Sequence, residues 1–361
     1  MKKIMFLVFT LSLIVVVGCS NDSSADKSSE PKEKIDGVPD EVQENVRIGV
    51  IRNLPSDDHT KQFLDGAKKE GEAFGFEVDT FISDGDDAKF QDLVSQAIQK
   101  QYDGIVISHG EASYSYDMIS PALDKGMEVV TFDTVAEKDG EGLEGLTSTQ
   151  QNDELLAEMS LDKVIENHDG DGPPKVLKIT IGGIPPLDNR DVVYKEYEDA
   201  GKIETVDTIG PQSMDNVQGD VESAVTASLN KYNDDDIDVV WAAWDELAKG
   251  AYTALKNKKS DLKLVSIDIS NQDINFMTEE GSEWVSTAAV DPYLIGVMNM
   301  RILAKKIAGE DTPESYQLEP QVIDQDDLDS DTTMNDLDEI IDGWGKSEDF
   351  NEDWMDKLRD N

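Results

Sequence analysis

The sequence predicts an α/β protein built as two doubly wound lobes, each a parallel sheet covered by helices on both faces. From residue 46 onward, short runs rich in Val, Ile and Phe alternate with helix-length amphipathic segments; the alternation occurs in two series, and a polar, Gly-rich stretch separates them. Strand, helix, strand in that order selects parallel pairing and right-handed crossovers.

In the first series "VRIGVI" (46–51), "FEVDTFI" (76–82), "GIVIS" (104–108) and "EVVTFD" (128–133) read as strands. They lack strict alternation, as suits strands buried on both faces. Between them "KQFLDGAKKEGEAFG" (61–75), "AKFQDLVSQAIQKQ" (88–101) and "YDMISPALDKG" (116–126) space apolar residues as a helix does and end near Gly. The stretch "EKDGEGLEGLTSTQQNDE" (137–154) suits a crossover between lobes. The second series is "KVLKITIG" (175–182), "KIETVDTI" (202–209), "IDVVWAA" (237–243) and "LKLVSID" (262–268), separated by helical segments such as 245–257. Near 290, "STAAVDP" returns the chain from a strand into a helix.

The N-terminus has a different character. Lys2 and Lys3 precede an apolar run from Ile4 to Val17, interrupted only by Thr10 and Ser12, and then Gly18-Cys19. That run is short for a membrane span and right for a signal peptide; "VVGC" is similar to a bacterial lipobox, which predicts cleavage before Cys19 and lipidation of its thiol. Residues 19–45, Ser-rich and charged, then read as a flexible stalk. With the only cysteine acylated, an exported fold has no disulfide available.

Composition excludes some partners. Against 32 Lys plus Arg stand 78 Asp plus Glu, a net charge of −46, which opposes nucleic-acid binding because phosphates need basic side chains. Such carboxylate density is screened to within a few ångströms near ~1 M salt, so a saline habitat is expected.

Ligand sites in open α/β sheets lie outside the carboxyl ends of the strands, and two facing lobes would enclose one cleft there. The strand ends gather Asn53, Asp57, Asp58 and His59 after the first strand, His109 and Glu111 in "SHGE", and Asp133. The second series adds Arg190 in "GGIPPLDNR", Trp244 and Asp245 in "WAAWDE", Asp268 in "SIDIS", and then Asp291. Carboxylates accept from paired hydroxyls, a guanidinium donates to hydroxyl or ring oxygens, and an indole covers an apolar sugar face. The competing reading is structural: an Asp after a strand is often the cap of the next helix, and a Trp is often core. Nucleophile-elbow, phosphate-loop, dinucleotide and zinc-helix motifs are absent, and His59, His109 and His168 are not at metal-ligand spacing. "SDGDDAKF" (83–90) lacks the calcium-loop pattern. No cofactor or metal is expected.

The stretches "IGVIRNLPSDDHTKQFLDGAKKEGEAFGFEVD", "DGIVIS", "VVTFDT", "VVWAAWDELAKGAYTAL", "LVSIDIS" and "VDPYLIGVMNMRILAKKIAGE" together resemble the type 1 periplasmic sugar-binding proteins, the ribose-binding family, over residues 46–320. The tail "GWGKSEDFNEDWMDKL" (343–358) is similar to that of some simple-sugar members. The resemblance implies a periplasmic binding protein type 1 fold with a three-segment hinge near 148–151, 289–291 and 317–320. The lobes then comprise 46–148 plus 291–318 and 149–290 plus 319–361, after a leader at 1–18. The family's ligand positions fall on Asp57, His59, Thr60, Glu111, Arg190, Trp244, Asp245, Asp268 and Asp291. Where ribose binders carry stacking aromatics in the first loop and Asn before Asp in the later one, this chain has His59 and Trp244, which implies a different sugar or polyol.

The function this implies is a monomeric, lipid-anchored receptor on the extracytoplasmic face of the membrane. It would capture a monosaccharide or polyol by lobe closure and hand it to the permease and ATPase subunits of an ABC importer. A receptor passing a sugar-like signal to a sensory kinase or chemoreceptor is the second reading. An extracellular glycosidase using Asp268 or Glu111 is the third, disfavoured by the missing catalytic motifs.

Overall fold

The computed structural model describes residues 34–56, 58–233 and 236–361. The leader at 1–18, Cys19, the stalk up to residue 33 and Asp57 lie outside the described residues. The first lobe runs β1 (Arg47–Arg52), α1 (Asp58–Ala73), β2 (Glu77–Ile82), α2 (Asp87–Gln99), β3 (Gly104–Ser108), α3 (Ala112–Leu123) and β4 (Glu128–Phe132). A small hairpin, β5 (Glu137–Lys138) and β6 (Glu141–Gly142), precedes β7 (Thr147–Gln151). The second lobe runs α4 (Asp153–Glu166), β8 (Lys175–Ile179), α5 (Pro185–Asp199), β9 (Glu204–Ile209) and α6 (Val217–Lys231), then β10 (Val239–Ala242), α7 (Asp245–Lys258), β11 (Lys263–Ile267), α8 (Asn271–Met277) and β12 (Trp284–Ala289). The chain returns through α9 (Pro292–Ile307) to β13 (Ser315–Leu318), crosses again into β14 (Gln321–Asp324), and ends with α10 (Leu337–Ile340) and α11 (Asp353–Arg359).

The sheets have orders β13-β7-β4-β3-β1-β2 and β14-β12-β11-β10-β8-β9. Within these two sheets every described pairing is parallel except β12 with β14. That exception locates the cleft. Leu318, the last residue of β13, pairs with Gln151 at the end of β7, while Gln321, the first of β14, pairs with Ala289 at the end of β12. Residues 319 and 320 alone join these positions, a span of about 10 Å at most. The carboxyl ends of the two sheets therefore face each other, and a strand entering the second sheet from that side must run antiparallel to it.

Burial explains why the strands were legible. All of β3 and β10 is buried, so both faces meet helices. The first lobe has a core on each side of its sheet, one around Phe63, Phe132 and Leu303, the other around Phe90, Ile98 and Ile119. Helix α9, back from the second lobe, seats on α1 with backbones in contact: a Cβ at Gly296 would lie 2.1 Å from the Phe63 carbonyl oxygen, and one at Gly66 would lie 2.1 Å from that of Tyr293. Only glycine permits that approach.

Three boundaries differ from expectation. The 137–154 stretch contains a strand, β7, and the chain first leaves the sheet only at Asn152. Its "TSTQQ" sequence carries no apolar signal because its inward side chains hydrogen-bond instead, Thr149 donating to Asn299 Oδ1 at 3.0 Å. The stalk, expected to reach residue 45, gives way to folded chain by Ile35, since Val38 and Val42 are buried in the first-lobe core. The tail, expected to belong to the second lobe, is shared. Met334, Leu337, Ile341 and Trp344 enter the second-lobe core, but Trp354 and Met355 enter the first. Ion pairs fix that last segment, Arg359 to Glu70 at 2.6 Å and Lys305 to Glu352, with Trp354 Nε1 donating to Glu310 at 2.8 Å.

Candidate functional site

Three residues that follow strands have left-handed backbones: His109 (φ 64°), Asp133 (φ 44°) and Asp268 (φ 72°). That conformation costs an L-residue roughly 1–2 kcal/mol. It is held by one more rung of the ladder: His109 N–H donates to Phe132 O, Asp133 N–H to Thr149 O and Asp268 N–H to Ala288 O, at 2.9–3.1 Å.

On the second lobe the centre is Arg190, 1 % exposed on α5. Its Nε donates to Asp153 Oδ1 at 3.0 Å, and Nη1 donates to Asp268 Oδ2 at 3.0 Å and to the Ala243 carbonyl at 2.7 Å. One side chain thus ties α4, α5, the end of β10 and the end of β11. Its Nη2 donates to no described residue. Burial raises the Asp153 carboxyl despite the guanidinium beside it.

On the first lobe the centre is Arg52, fully buried at the end of β1. It donates from Nε to Thr60 Oγ1 at 3.1 Å, from Nη1 to Ser108 Oγ at 3.1 Å and from Nη2 to His59 Nδ1 at 2.8 Å, and its guanidinium lies 4.6 Å from the Phe63 ring centre. Burial and then Arg52 push the His59 imidazole down to about 3 and hold His109 well below its ordinary value.

Asp133 connects the two centres. Its Oδ2 is 3.8 Å from His109 Nε2, too long for a hydrogen bond. Burial, with Asp153 nearby, pushes its carboxyl up to about 8 against the pull of Arg52 and Arg190. With His109 neutral and Asp133 protonated at neutral pH, this contact is not an ion pair. The lobes also touch directly: the Asn271 side-chain amide at the head of α8 donates to Asp58 Oδ2 on α1, while within the second lobe Asn271 Oδ1 accepts from the Met334 N–H at 2.9 Å.

The structure therefore gathers His59, Thr60, His109, Asp133, Arg190 and Asp268 where the sheets face each other. Trp244, half-buried at the head of α7, follows Ala243 in the chain and packs against the second-lobe core, and no described residue accepts from its indole nitrogen. Other expected residues are engaged elsewhere. Asn53 spends its amide within the first lobe, donating to Asp87 Oδ1 at 2.8 Å and accepting from the Ser83 hydroxyl. Asp245 binds Lys249 Nζ at 2.7 Å in a buried group with Asp273, and burial raises both carboxyls. Asp291 caps α9, accepting from Tyr293 N–H at 2.9 Å, and burial pushes it up to about 6. Glu111 is exposed at the head of α3, 3.5 Å from the Ser113 hydroxyl.

Sequence reasoning passed over Arg52, Ser108 and Asp153. A charge ending the apolar run "RIGVIR" was the available signal for Arg52; Asp153 looked like an ordinary first-turn acid of α4. No cluster of three or more His, Cys, Asp or Glu suited to a metal occurs among the described residues. A recess of about 790 Å³ lies at the opposite end of the first sheet, lined by Tyr102, Asp103, Met127 and Glu128 among others, and shares none of the groups above.

Comparison with known proteins agrees with this geometry. A family described as "Periplasmic binding protein domain" matches residues 48–311. The solved structure of a sugar ABC transporter protein from Yersinia enterocolitica subsp. enterocolitica 8081 is 42% identical, covering 91% of this chain and 99% of that one with a TM-score of 0.78. A 5-methylthioribose transporter solute-binding protein from Thermotoga lettingae TMO, solved with 5-methylthioribose, is 27% identical over 90% of this chain and 99% of its own, with a TM-score of 0.76. The ribose import binding protein of Bacillus subtilis (strain 168) is 23% identical over 297 residues, 82% of this chain and 90% of that protein.

Proposed function

We propose that this chain, which belongs to the periplasmic binding protein family, captures a monosaccharide or related polyol between its lobes and delivers it to an ABC importer. The observation that carries this reading is the pair of facing arginine centres. Arg190 holds Asp153 and Asp268 on one lobe, and Arg52 holds His59, Thr60 and Ser108 on the other, with Asp133 between. Fixed donors and carboxylate acceptors brought together at the facing strand ends match hydroxyl groups, each of which donates and accepts. Trp244 supplies an apolar plate for a sugar face. The similar solved structures, a sugar ABC transporter protein and a 5-methylthioribose transporter protein, support a sugar-like solute. Partners are then a membrane permease and its ATPase on separate chains, with the receptor itself a monomer.

Among the described residues no helix is long and apolar enough to cross a membrane. In this reading the anchor is lipid on Cys19, and the site faces the extracytoplasmic side. Cys19→Ser is expected to release the protein from the membrane fraction; undiminished retention would refute the anchor.

The test of function is a thermal-shift screen in high salt against sugars and polyols, with ribose and 5-methylthioribose included. A solute at 100 times its Kd stabilises the folded state by about 2.7 kcal/mol, enough to raise the melting temperature measurably. Stabilisation by none of them would overturn the proposal.

A further inference from the structure

We infer that Arg52 is a positioning residue that fixes the tautomer of both His59 and His109, so that the first lobe offers the bound solute two Nε2–H donors. The inference deepens the solute-binding reading and rests on it for its use, but its geometry stands alone. A guanidinium has donors and no acceptor, so every atom it contacts must accept. Arg52 Nη2 is 2.8 Å from His59 Nδ1, which leaves that nitrogen a lone pair and puts the ring proton on Nε2. Arg52 Nη1 donates to Ser108 Oγ, and Ser108 Oγ is 2.6 Å from His109 Nδ1. A serine hydroxyl can accept twice, but among the described residues Ser108 Oγ meets no other acceptor, so its one hydrogen goes to that nitrogen and His109 too carries its proton on Nε2. His109 Nε2 is the atom directed at Asp133, 3.8 Å away.

The arrangement is rigid because Arg52 is fully buried and held at all three nitrogens, by Thr60, Ser108 and His59, with Phe63 against its plane. It also keeps the rings uncharged. His59 faces Arg52 from β1, Lys249 from α7 and Asp268 after β11, and burial with the two cations outweighs the carboxylate. His109 faces Arg52, His59 and Asp133, and neither Arg52 nor burial favours a second proton. Asp58, next to His59 in the chain, is turned to Asn271.

The consequence is a division of labour in recognition. The imidazoles can only donate, so the solute must bring acceptor oxygens to the first lobe, while its hydroxyl hydrogens go to carboxylates such as Asp268. A neutral polyhydroxy compound satisfies both demands. An ammonium in place of the hydroxyl facing the imidazoles meets N–H donors and is rejected.

The test uses long-range ¹H–¹⁵N spectra of the full chain without solute. The protein has 3 histidines, so His59→Gln and His109→Gln assign the signals. The expected result is the neutral Nε2–H pattern for both residues, unchanged between about pH 5.5 and 8, where an unperturbed imidazole would titrate. In Arg52→Met the His59 signal should titrate within that range or show mixed tautomers. Should that variant not fold, Ser108→Ala should alter His109 alone. An Nδ1–H form or an imidazolium for either residue in the unmodified protein overturns the inference, as do unchanged spectra in a folded Arg52→Met or in Ser108→Ala. Such a failure leaves the solute reading standing. An empty solute screen would sink that reading and leave the tautomers unchanged.

Discussion

Arg190→Met keeps much of the side-chain volume and removes the charge. Among the described residues Asp153 then retains only the amide of Asn189 at 3.4 Å, and Asp268 loses its Nη1 donor. Asp268 keeps some contact with solvent at 13 % side-chain exposure, whereas Asp153 has 7 %, so the penalty falls mainly on Asp153. Leaving one member of a buried pair uncompensated costs about 3–5 kcal/mol. A second route sets a ceiling: the carboxyl can take up a proton instead, which for a group of ordinary pKa 3.9 costs about 4 kcal/mol at pH 7 and about 1.5 kcal/mol at pH 5. The deficit is therefore expected near 3–4 kcal/mol at neutral pH and should shrink as pH falls. The sign follows from linkage, because a folded carboxyl with a raised pKa binds a proton that the unfolded chain releases. Stability is thus lost as pH rises from about 4 toward the folded pKa. Urea unfolding of both proteins at pH 4.5 and 7.5, followed by tryptophan fluorescence, measures this directly. A deficit equal at both pH values, or below about 1 kcal/mol at pH 7.5, would refute the structural role given to Arg190.

Asp133→Asn should flatten part of the pH dependence. The Asp133 carboxyl titrates at about 8 when folded and near 3.9 when unfolded, so it makes the protein lose stability between those values. The variant should be the more stable of the two above pH 8 and lose its advantage toward pH 4; a constant difference would contradict the shift. Trp244→Ala should weaken solute binding by roughly two- to tenfold with little effect on unfolding. Trp241→Ala, at a fully buried indole that donates to Ser160 at 2.9 Å, should cost about 3–5 kcal/mol. Equal destabilisation by the two would assign Trp244 to the core. Because the chain carries a net charge of −46, its melting temperature should rise between low salt and ~1 M sodium chloride, and equal stability at both would end the idea of salt adaptation.

Much of the fold was readable because buried parallel strands write their environment into the sequence. "GIVIS" was expected at 104–108 and is β3, fully buried. The polar strand β7 was not readable, since its partners Asn299 and Thr312 arrive from the far side of the second lobe in sequence. The site divides in the same way. Position at a strand end singled out Asp133, Arg190 and Asp268. It could not separate them from Asp245 and Asp291, which have the same local sequence setting. Lys249 and Asp273 engage one, and the head of α9 engages the other. Arg52 became significant only once α1 and β3 had delivered His59 and Ser108 to it.

Small-angle X-ray scattering, recorded with and without the solute that raises the melting temperature, tests most directly whether two lobes shut on a sugar-like guest. Binding should decrease the radius of gyration, and Asp58→Ala, which removes the contact to Asn271 across the gap, should weaken that decrease. Saturating solute with no change in radius, or an increase, would contradict closure as the basis of function.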